Sequence, residues 1–240
     1  MSETLSVIFY GNKTISIPPN IDKTPVKYIV FQDGFTFLPA ETFLGFPNLI
    51  NITLPDTLES IDDHSFAFDK LMKYILLPKG VKDISPSNPF DMTQIEYIDV
   101  AADNPYLRSV DGVLFSRNMT ILYEFPTRKN TATYVIPNTV TNLRFGAFNR
   151  AAFLKRIIIP DSVVDLSEEF CYGNSDVLEE VVIYRYYGQC VPYIGPNSFY
   201  STTFQKSNII YVYYAKVIKT CNTYSFSLLI SDIIFIFFLV

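Results

Sequence analysis

The residues that could do chemistry are few, and their spacing matches no common catalytic motif. The only histidine is His64, so a Ser-His-Asp or Cys-His site would have to use it, and no G-x-S-x-G nucleophile motif occurs. We interpret His64 as a solvated turn residue. Neighbouring residues in a strand point to opposite faces, so we interpret adjacent acidic residues as solvated carboxylates rather than a general acid and base. We therefore predict that the chain is not an enzyme. The acidic pairs are Asp62-Asp63, Glu168-Glu169 and Glu179-Glu180.

Cysteine, glycine and charge give no support for a metal, cofactor or nucleic-acid site. The three cysteines, Cys171, Cys190 and Cys221, form no C-x-x-C pair, and one histidine supplies too few ligands for a His-based zinc site. The nine glycines form neither a G-x-G-x-x-G nor a G-K-[ST] loop, and no D-x-D-x-D-G calcium loop occurs. A net charge of −5 gives no reason to expect nucleic acid. We predict no metal, no cofactor and no nucleic-acid partner, and we interpret Cys171 as a buried apolar residue.

A repeat of 23 residues organises most of the chain. An apolar residue followed by proline recurs at this distance, at Leu54-Pro55 and Leu77-Pro78 and again at Ile136-Pro137 and Ile159-Pro160. Further apolar residues keep step with these prolines. They lie three residues later (Leu58, Val81, Val140, Val163), six residues later (Ile61, Ile84, Leu143, Leu166) and eleven residues later (Phe66, Phe148).

Each repeat contains the spacing apolar-x-x-apolar-x-apolar, as in Met72/Ile75/Leu77. Its alternating end predicts a short half-buried strand, which the following proline ends because proline cannot donate to a β-ladder. The Ala/Ser-Phe step, as at Ala147-Phe148, predicts the turn on the far side. One such coil cannot bury its own apolar face, whereas stacked coils share a continuous core, so the pattern indicates a solenoid.

These residues resemble the BspA-like branch of the leucine-rich repeats over about residues 26–200. A second resemblance is the family's non-repeat insert, here Asn104-Pro105-Tyr106, Asp111 to Phe115 and Phe125-Pro126. The resemblance implies a strand-rich α/β fold, a right-handed solenoid with a parallel sheet on one face and short turns or helices on the other. Many family members are cell-surface antigens implicated in adhesion, which implies a surface role here.

We predict three parts: an N-terminal capping segment at 1–25, a solenoid at 26–204 and a C-terminal cap or apolar tail at 205–240. In the first part, Val7 to Tyr10 and Ile15 to Ile17 are predicted to form a hairpin around Gly11-Asn12. The solenoid is predicted to contain an insert at about 101–133. In this insert Val113 to Phe115 and Thr120 to Phe125 form a hairpin across Ser116 to Met119.

The two ends of the chain leave its location open. Met1 to Tyr10 has no basic segment and too short an apolar stretch for a secretory signal. Phe226 to Val240 is nearly all apolar, but as a helix it would span ~22 Å against ~30 Å of hydrocarbon, and Asp232 interrupts it. Membrane contact through Phe226 to Val240, a final packed strand and an ill-fitting tail remain alternatives.

The exposed face of the predicted sheet is the candidate binding surface. Strand residues two and four positions before each proline point outward and should form ladders ~30 Å long. Tyrosine and arginine often anchor protein interfaces, although strand propensity alone would also favour Tyr, Val and Ile. The candidate residues are Tyr28, Asn51, Thr53, Tyr74, Leu76, Tyr97, Asp99, Arg156, Ile158 and Glu180.

The sequence therefore predicts a non-catalytic protein-binding repeat protein. Cell-surface adhesion or recognition is the first hypothesis for its role, at the cell surface or in association with a membrane. An intracellular, cytoplasmic interaction scaffold that uses the same face is the alternative. The identity of the protein ligand does not follow from the sequence, because solenoid surfaces vary on a common fold.

Overall fold

The chain folds as a solenoid whose coils each add strands to successive parallel ladders. The computed structural model describes residues 5–67, 71–85, 87–166, 170–171, 177–186, 192–194, 198 and 209–214. The first ladder contains β1 (Leu5–Phe9), β3 (Val26–Phe31), β5 (Asn51–Thr53), β7 (Tyr74–Leu77), β9 (Tyr97–Val100), β13 (Thr133–Val135), β15 (Arg156–Ile159), β17 (Glu180–Tyr186) and β19 (Ile209–Tyr214).

A second ladder of shorter strands lies six residues after the proline position of each coil. It contains β2 (Lys13–Thr14), β4 (Phe35–Leu38), β6 (Ser60–Ile61), β8 (Asp83–Ile84), β14 (Asn142–Leu143), β16 (Asp165–Leu166) and β18 (Tyr193–Ile194). The insert adds β10 (Leu107–Val110), β11 (Val113–Ser116) and β12 (Ile121–Glu124). Turns, and no helix, connect these strands within the described residues.

The strand register confirms the repeat. Ile29 lies opposite Ile52, Ile75 opposite Ile98, and Ile157 opposite Val181, all in parallel pairs. These side chains are buried. Because equivalent residues of successive coils meet directly, each coil completes the apolar core of its neighbour.

Phenylalanine side chains form the core beneath the far-side turn. Phe66 stacks between Phe43 and Phe90 with ring centroids 5.4 and 5.1 Å away. In the second half Phe148 lies 5.4 Å from Phe125 and 6.2 Å from Phe170. The turn is tight, because the backbone has positive φ two residues before or after several of these rings. The positive-φ positions are Glu41, His64 and Gly146 before a ring, and Gly45, Met92 and Arg150 after one.

The insert is a three-stranded meander that divides the core. β11 pairs antiparallel with β10 and with β12, and β12 then pairs parallel with β14 of the next coil. The predicted hairpin is confirmed, although β10 was not predicted. All four residues of β11 are buried. Leu114 packs into the core of the preceding coils, whereas Val113 and Phe115 pack into that of the following coils.

The predicted N-terminal hairpin is wrong. Strands do form on either side of Gly11, but β1 pairs parallel with β3 and β2 pairs parallel with β4. The Gly-Asn turn signal therefore lies in an ordinary solenoid coil. The reason is that Val7 and Phe9 pack against the core of the following coil, which a hairpin would not allow.

The structure describes only some of the residues on which the cysteine and membrane predictions depend. Cys171 is buried, as predicted. No helix among the described residues is long and apolar enough to cross a membrane. The predictions for Glu168-Glu169, Cys190, Cys221 and Phe226 to Val240 lie outside the described residues.

Candidate protein-binding face

Alternation in the first ladder exposes two rows of side chains above the core. The rows that precede and follow the buried isoleucines are solvent-accessible in most coils, because successive strand residues point to opposite sides. Tyr74 and Leu76 are 43% and 44% exposed, and Tyr97 is 38% exposed. Val182 is an exception to the predicted outward row, since it is buried at 2% exposure.

The centre of the face is a tyrosine pair on β7 and β9. Tyr74 lies directly opposite Tyr97, and the rings stack with centroids 6.1 Å apart at 19°. The Tyr74 hydroxyl donates to Asp99 Oδ2 at 3.1 Å. Partial burial, with this hydrogen bond, raises the pKa of Tyr74 above its usual value, so the hydroxyl stays a neutral donor at physiological pH. Leu76 lies opposite Asp99 and extends the surface with an aliphatic group.

The tip of the insert, Asp111-Gly112, packs against this tyrosine pair. The sequence did not predict this contact. Ile98 N donates to Gly112 O at 3.1 Å, and Ser109 Oγ donates to Ile98 O at 2.6 Å. A Cβ on Gly112 would lie 2.6 Å from the Tyr97 ring, so the tip packs directly against the tyrosine. Lys129 Nζ holds the tip by donating to Asp111 O at 2.6 Å and to Asp111 Oδ2 at 2.7 Å.

The N-terminal part of the face has uncharged side chains. Tyr28 on β3 lies opposite Asn51 on β5, and Val30 lies opposite Thr53. The Asn51 amide oxygen accepts from Ile52 N at 3.0 Å. β3 and β5 form a sheet with β1, while β7 and β9 form a separate sheet. The predicted N-terminal row is therefore present, with a break in hydrogen bonding between β5 and β7.

The C-terminal part of the face is charged. Arg156 on β15 pairs with Glu180 on β17 through an ion pair between Nε and the carboxylate. Ile158 is half-buried beside them. These residues belong to the sheet of β13, β15, β17 and β19. The tyrosine strands β7 and β9 form a separate sheet, so among the described residues no strand pairing joins Tyr97 to Arg156.

Ion pairs border the face at one position of the coil, directly before the first-ladder strand. Lys73 pairs with Glu96 at 2.7 Å, and Lys155 pairs with Glu179 at 2.7 Å. The sequence signal for these pairs is opposite charge at the repeat spacing, a pattern that the apolar periodicity does not include. Exposed pairs of this kind contribute little to stability, so their main effect is on the charge pattern of the border.

The residues considered for catalysis are His64 and the adjacent acidic pairs, and those that the structure describes make ordinary surface contacts. His64 Nε2 is 3.9 Å from Asp91 Oδ2 on the far side of the coil, and its side chain is 43% exposed. Glu179 and Glu180 bind different basic side chains. Across the described ranges, no three potential metal ligands of the His, Cys, Asp or Glu type lie together.

Comparisons with known proteins give the same fold. A search of curated proteins found no match. Among solved structures, the pneumococcal vaccine antigen PcpA is similar over 86% of this chain and 67% of that one, with 19% identity and a TM-score of 0.60. A leucine-rich cell surface protein from Faecalibacterium prausnitzii is similar over 72% of this chain and 67% of that one, with 18% identity and a TM-score of 0.52.

The family comparison covers nearly the whole chain. The profile described as BspA type leucine rich repeat region matches residues 21–121 and 121–235, in six copies. The matched ranges contain all the described strands from β3 onward. The chain belongs to the BspA-type leucine-rich repeat family.

Proposed function

We propose that this chain is a non-catalytic protein-binding repeat protein that acts in recognition or adhesion at a cell surface. The observation that carries the proposal is the exposed, stacked Tyr74–Tyr97 pair beside Leu76, in which the Tyr74 hydroxyl donates to Asp99. Aromatic side chains held rigid on a sheet lose little conformational entropy on binding and are common anchors of protein interfaces.

The surface location rests on the relatives. PcpA is named a vaccine antigen, and the Faecalibacterium prausnitzii protein is named a cell surface protein. An intracellular scaffold that uses the same face is the second candidate, since the tyrosine pair would serve both roles. Labelling of intact cells with a membrane-impermeant biotin reagent separates the two. Labelling before lysis supports surface recognition, and labelling only after lysis supports the scaffold.

The binding face is tested with a matched pair of triple variants. Tyr74→Ala/Tyr97→Ala/Arg156→Ala changes the face, and Tyr10→Ala/Tyr106→Ala/Arg108→Ala removes the same residue types from other exposed positions. Biotinylated wild-type and variant chains are used to capture proteins from surface and cytosolic extracts, which are compared by mass spectrometry.

A specific partner should be recovered by the wild type and the control variant and should be reduced by about tenfold or more with the face variant, equivalent to ~1.4 kcal/mol or more. Both variants must show wild-type circular dichroism. Equal recovery of every partner by a folded face variant would contradict the proposed face.

A further inference from the structure

A groove on the flank of the solenoid is lined mainly by polar side chains. It lies where the chain passes from the far-side turn to the first-ladder strands, beside the insert, and has a volume of about 410 Å³. Met92, Gln94, Arg128 and Arg150 contribute to its lining. Pockets that hold small molecules or short peptide segments have volumes in this range.

The groove lies beside the coil that contains the insert. At the third position after the core phenylalanine, the coils on either side have Thr93 and Ala151. The insert coil has Arg128 at this position. Its backbone N–H donates to Ile95 O at 2.8 Å, while Thr127 O accepts from Ala152 N at 2.9 Å, so this segment bridges two regular coils.

The base of the groove is polar and internally satisfied. Thr93 and Thr127 are buried. Thr93 Oγ1 donates to Phe90 O at 2.8 Å, and Thr127 Oγ1 donates to Thr93 O at 3.0 Å. Buried hydroxyls that are already paired give the groove a rigid polar base.

Two arginines line the groove of a chain whose net charge is −5. Arg150 is held by Asp91, with Nε to Oδ1 at 3.0 Å. Arg128 lines the groove, and in the described part of the chain its guanidinium makes no ion pair or side-chain hydrogen bond with another residue. A guanidinium presents a planar fork of donors that matches a carboxylate, and it keeps its charge at all physiological pH values.

We propose that this flank groove binds a carboxylate of an acidic, extended peptide segment, with Arg128 as the anchoring residue and Arg150 as a second positive charge. Met92 is 38% exposed and supplies an adaptable apolar contact for a side chain next to the carboxylate. The groove is a second contact region, separate from the tyrosine face, and the proposal rests on the proposed protein-binding function only in taking the acidic segment to belong to a protein.

The test is a titration of the full chain, labelled with ¹⁵N, that follows the Nε–H resonances of Arg128 and Arg150. The probes are a blocked peptide in which two glutamates flank a leucine, its glutamine counterpart, and inorganic phosphate. Saturable shifts are expected with the acidic peptide at ~1 mM or below, and binding of the glutamine peptide and of phosphate should be at least about tenfold weaker.

Substitutions of arginine test whether Arg128 anchors the peptide. Arg128→Ala should weaken peptide binding by about tenfold or more, and Arg128→Lys should lose part of the affinity because lysine keeps the charge but lacks the fork. Arg108→Ala is the control for loss of an exposed arginine. No saturable shift at ~10 mM peptide, or a folded Arg128→Ala that binds like the wild type, would overturn the site. Phosphate binding as tight as peptide binding would overturn the peptide assignment.

The groove and the tyrosine face can fail separately. Tyr74→Ala/Tyr97→Ala/Arg156→Ala should bind the acidic peptide as the wild type does, since none of the three residues lines the groove. If this variant loses the acidic peptide while Arg128→Ala keeps it, the groove proposal is wrong and the proposed face is not affected.

Discussion

At the scale of single residues, the least predictable positions are two buried polar side chains, Asn104 and Arg185. Asn104 stands where other coils have Val81 or Val140, and its amide donates to Pro78 O and Val81 O, both at 2.9 Å. Arg185 makes the same kind of contact with Pro160 O and Val163 O. Both side chains donate to backbone carbonyls of a neighbouring coil, and a sequence pattern alone cannot show which carbonyls a buried side chain will reach.

Glu124 is a buried acid at the junction of the insert with the preceding coils. Asn88 Nδ2 donates to Glu124 Oε1 and to Gly146 O, both at 3.3 Å. Burial raises the pKa of Glu124 well above its ordinary value of about 4.5, and the hydrogen bond from Asn88 offsets only part of that effect. The folded chain therefore holds this proton more tightly than the unfolded chain does.

We expect the free energy of unfolding of the wild type to fall relative to Glu124→Gln as pH rises above about 4.5. An acid whose pKa is raised on folding stabilises the fold fully below its unfolded pKa and loses that contribution as pH rises through its folded pKa. The difference should grow by up to ~1.4 kcal/mol per pH unit. Urea unfolding at several pH values measures it, with Glu41→Gln as the surface control. Parallel curves for the wild type and Glu124→Gln would contradict the expectation.

At the scale of elements, the sequence predicted the regular strands well and the irregular ones poorly. Ile52, Ile75, Ile98 and Ile157 are all buried at equivalent positions of the predicted strands, because a repeated apolar triplet has one way to be buried in stacked coils. The turn signal at Gly11-Asn12 was misleading, since local turn chemistry was weaker than the packing of Val7 and Phe9. Which candidate residues lie near each other could not be predicted across the insert, whose path depends on long-range contacts.

The β10–β11 turn links the insert to the tyrosine face. Asp111 and Gly112 both have positive φ, as a two-residue hairpin turn requires. Gly112→Ala should lower the free energy of unfolding by ~1–3 kcal/mol through backbone strain and contact with the Tyr97 ring. It should also move Tyr97 away from Tyr74, which changes the ring resonances of both tyrosines.

Gly45→Ala is the matched control for this prediction. Gly45 also has positive φ, but a Cβ there would meet only the Lys23 side chain, at 3.7 Å or more. It should show backbone strain without any change in the tyrosine resonances. A folded Gly112→Ala whose Tyr97 resonances match those of the wild type would show that the insert does not position the face.

At the scale of the whole molecule, β11 contributes side chains to two hydrophobic cores, which we expect to lose structure separately. The first core runs from Ile15 to Leu114 and the second from Val113 to Ile183. In a solenoid each coil contacts only its neighbours, so a local defect spreads along the stack until an interface stops it. A buried strand that gives alternate side chains to either core is such an interface.

Phe66→Ala and Phe148→Ala test this division, because each removes the central ring of one phenylalanine stack. Each should cost ~3–5 kcal/mol through the lost contacts and the cavity. Hydrogen exchange followed by mass spectrometry should show that Phe66→Ala lowers protection in β3 to β9 and spares β15 and β17, and that Phe148→Ala does the reverse. Equal loss across both sets of strands in both variants would mean that the cores unfold as one unit. In that case a ligand bound on the tyrosine face would stabilise the whole solenoid, whereas two separable cores confine its effect to the first half.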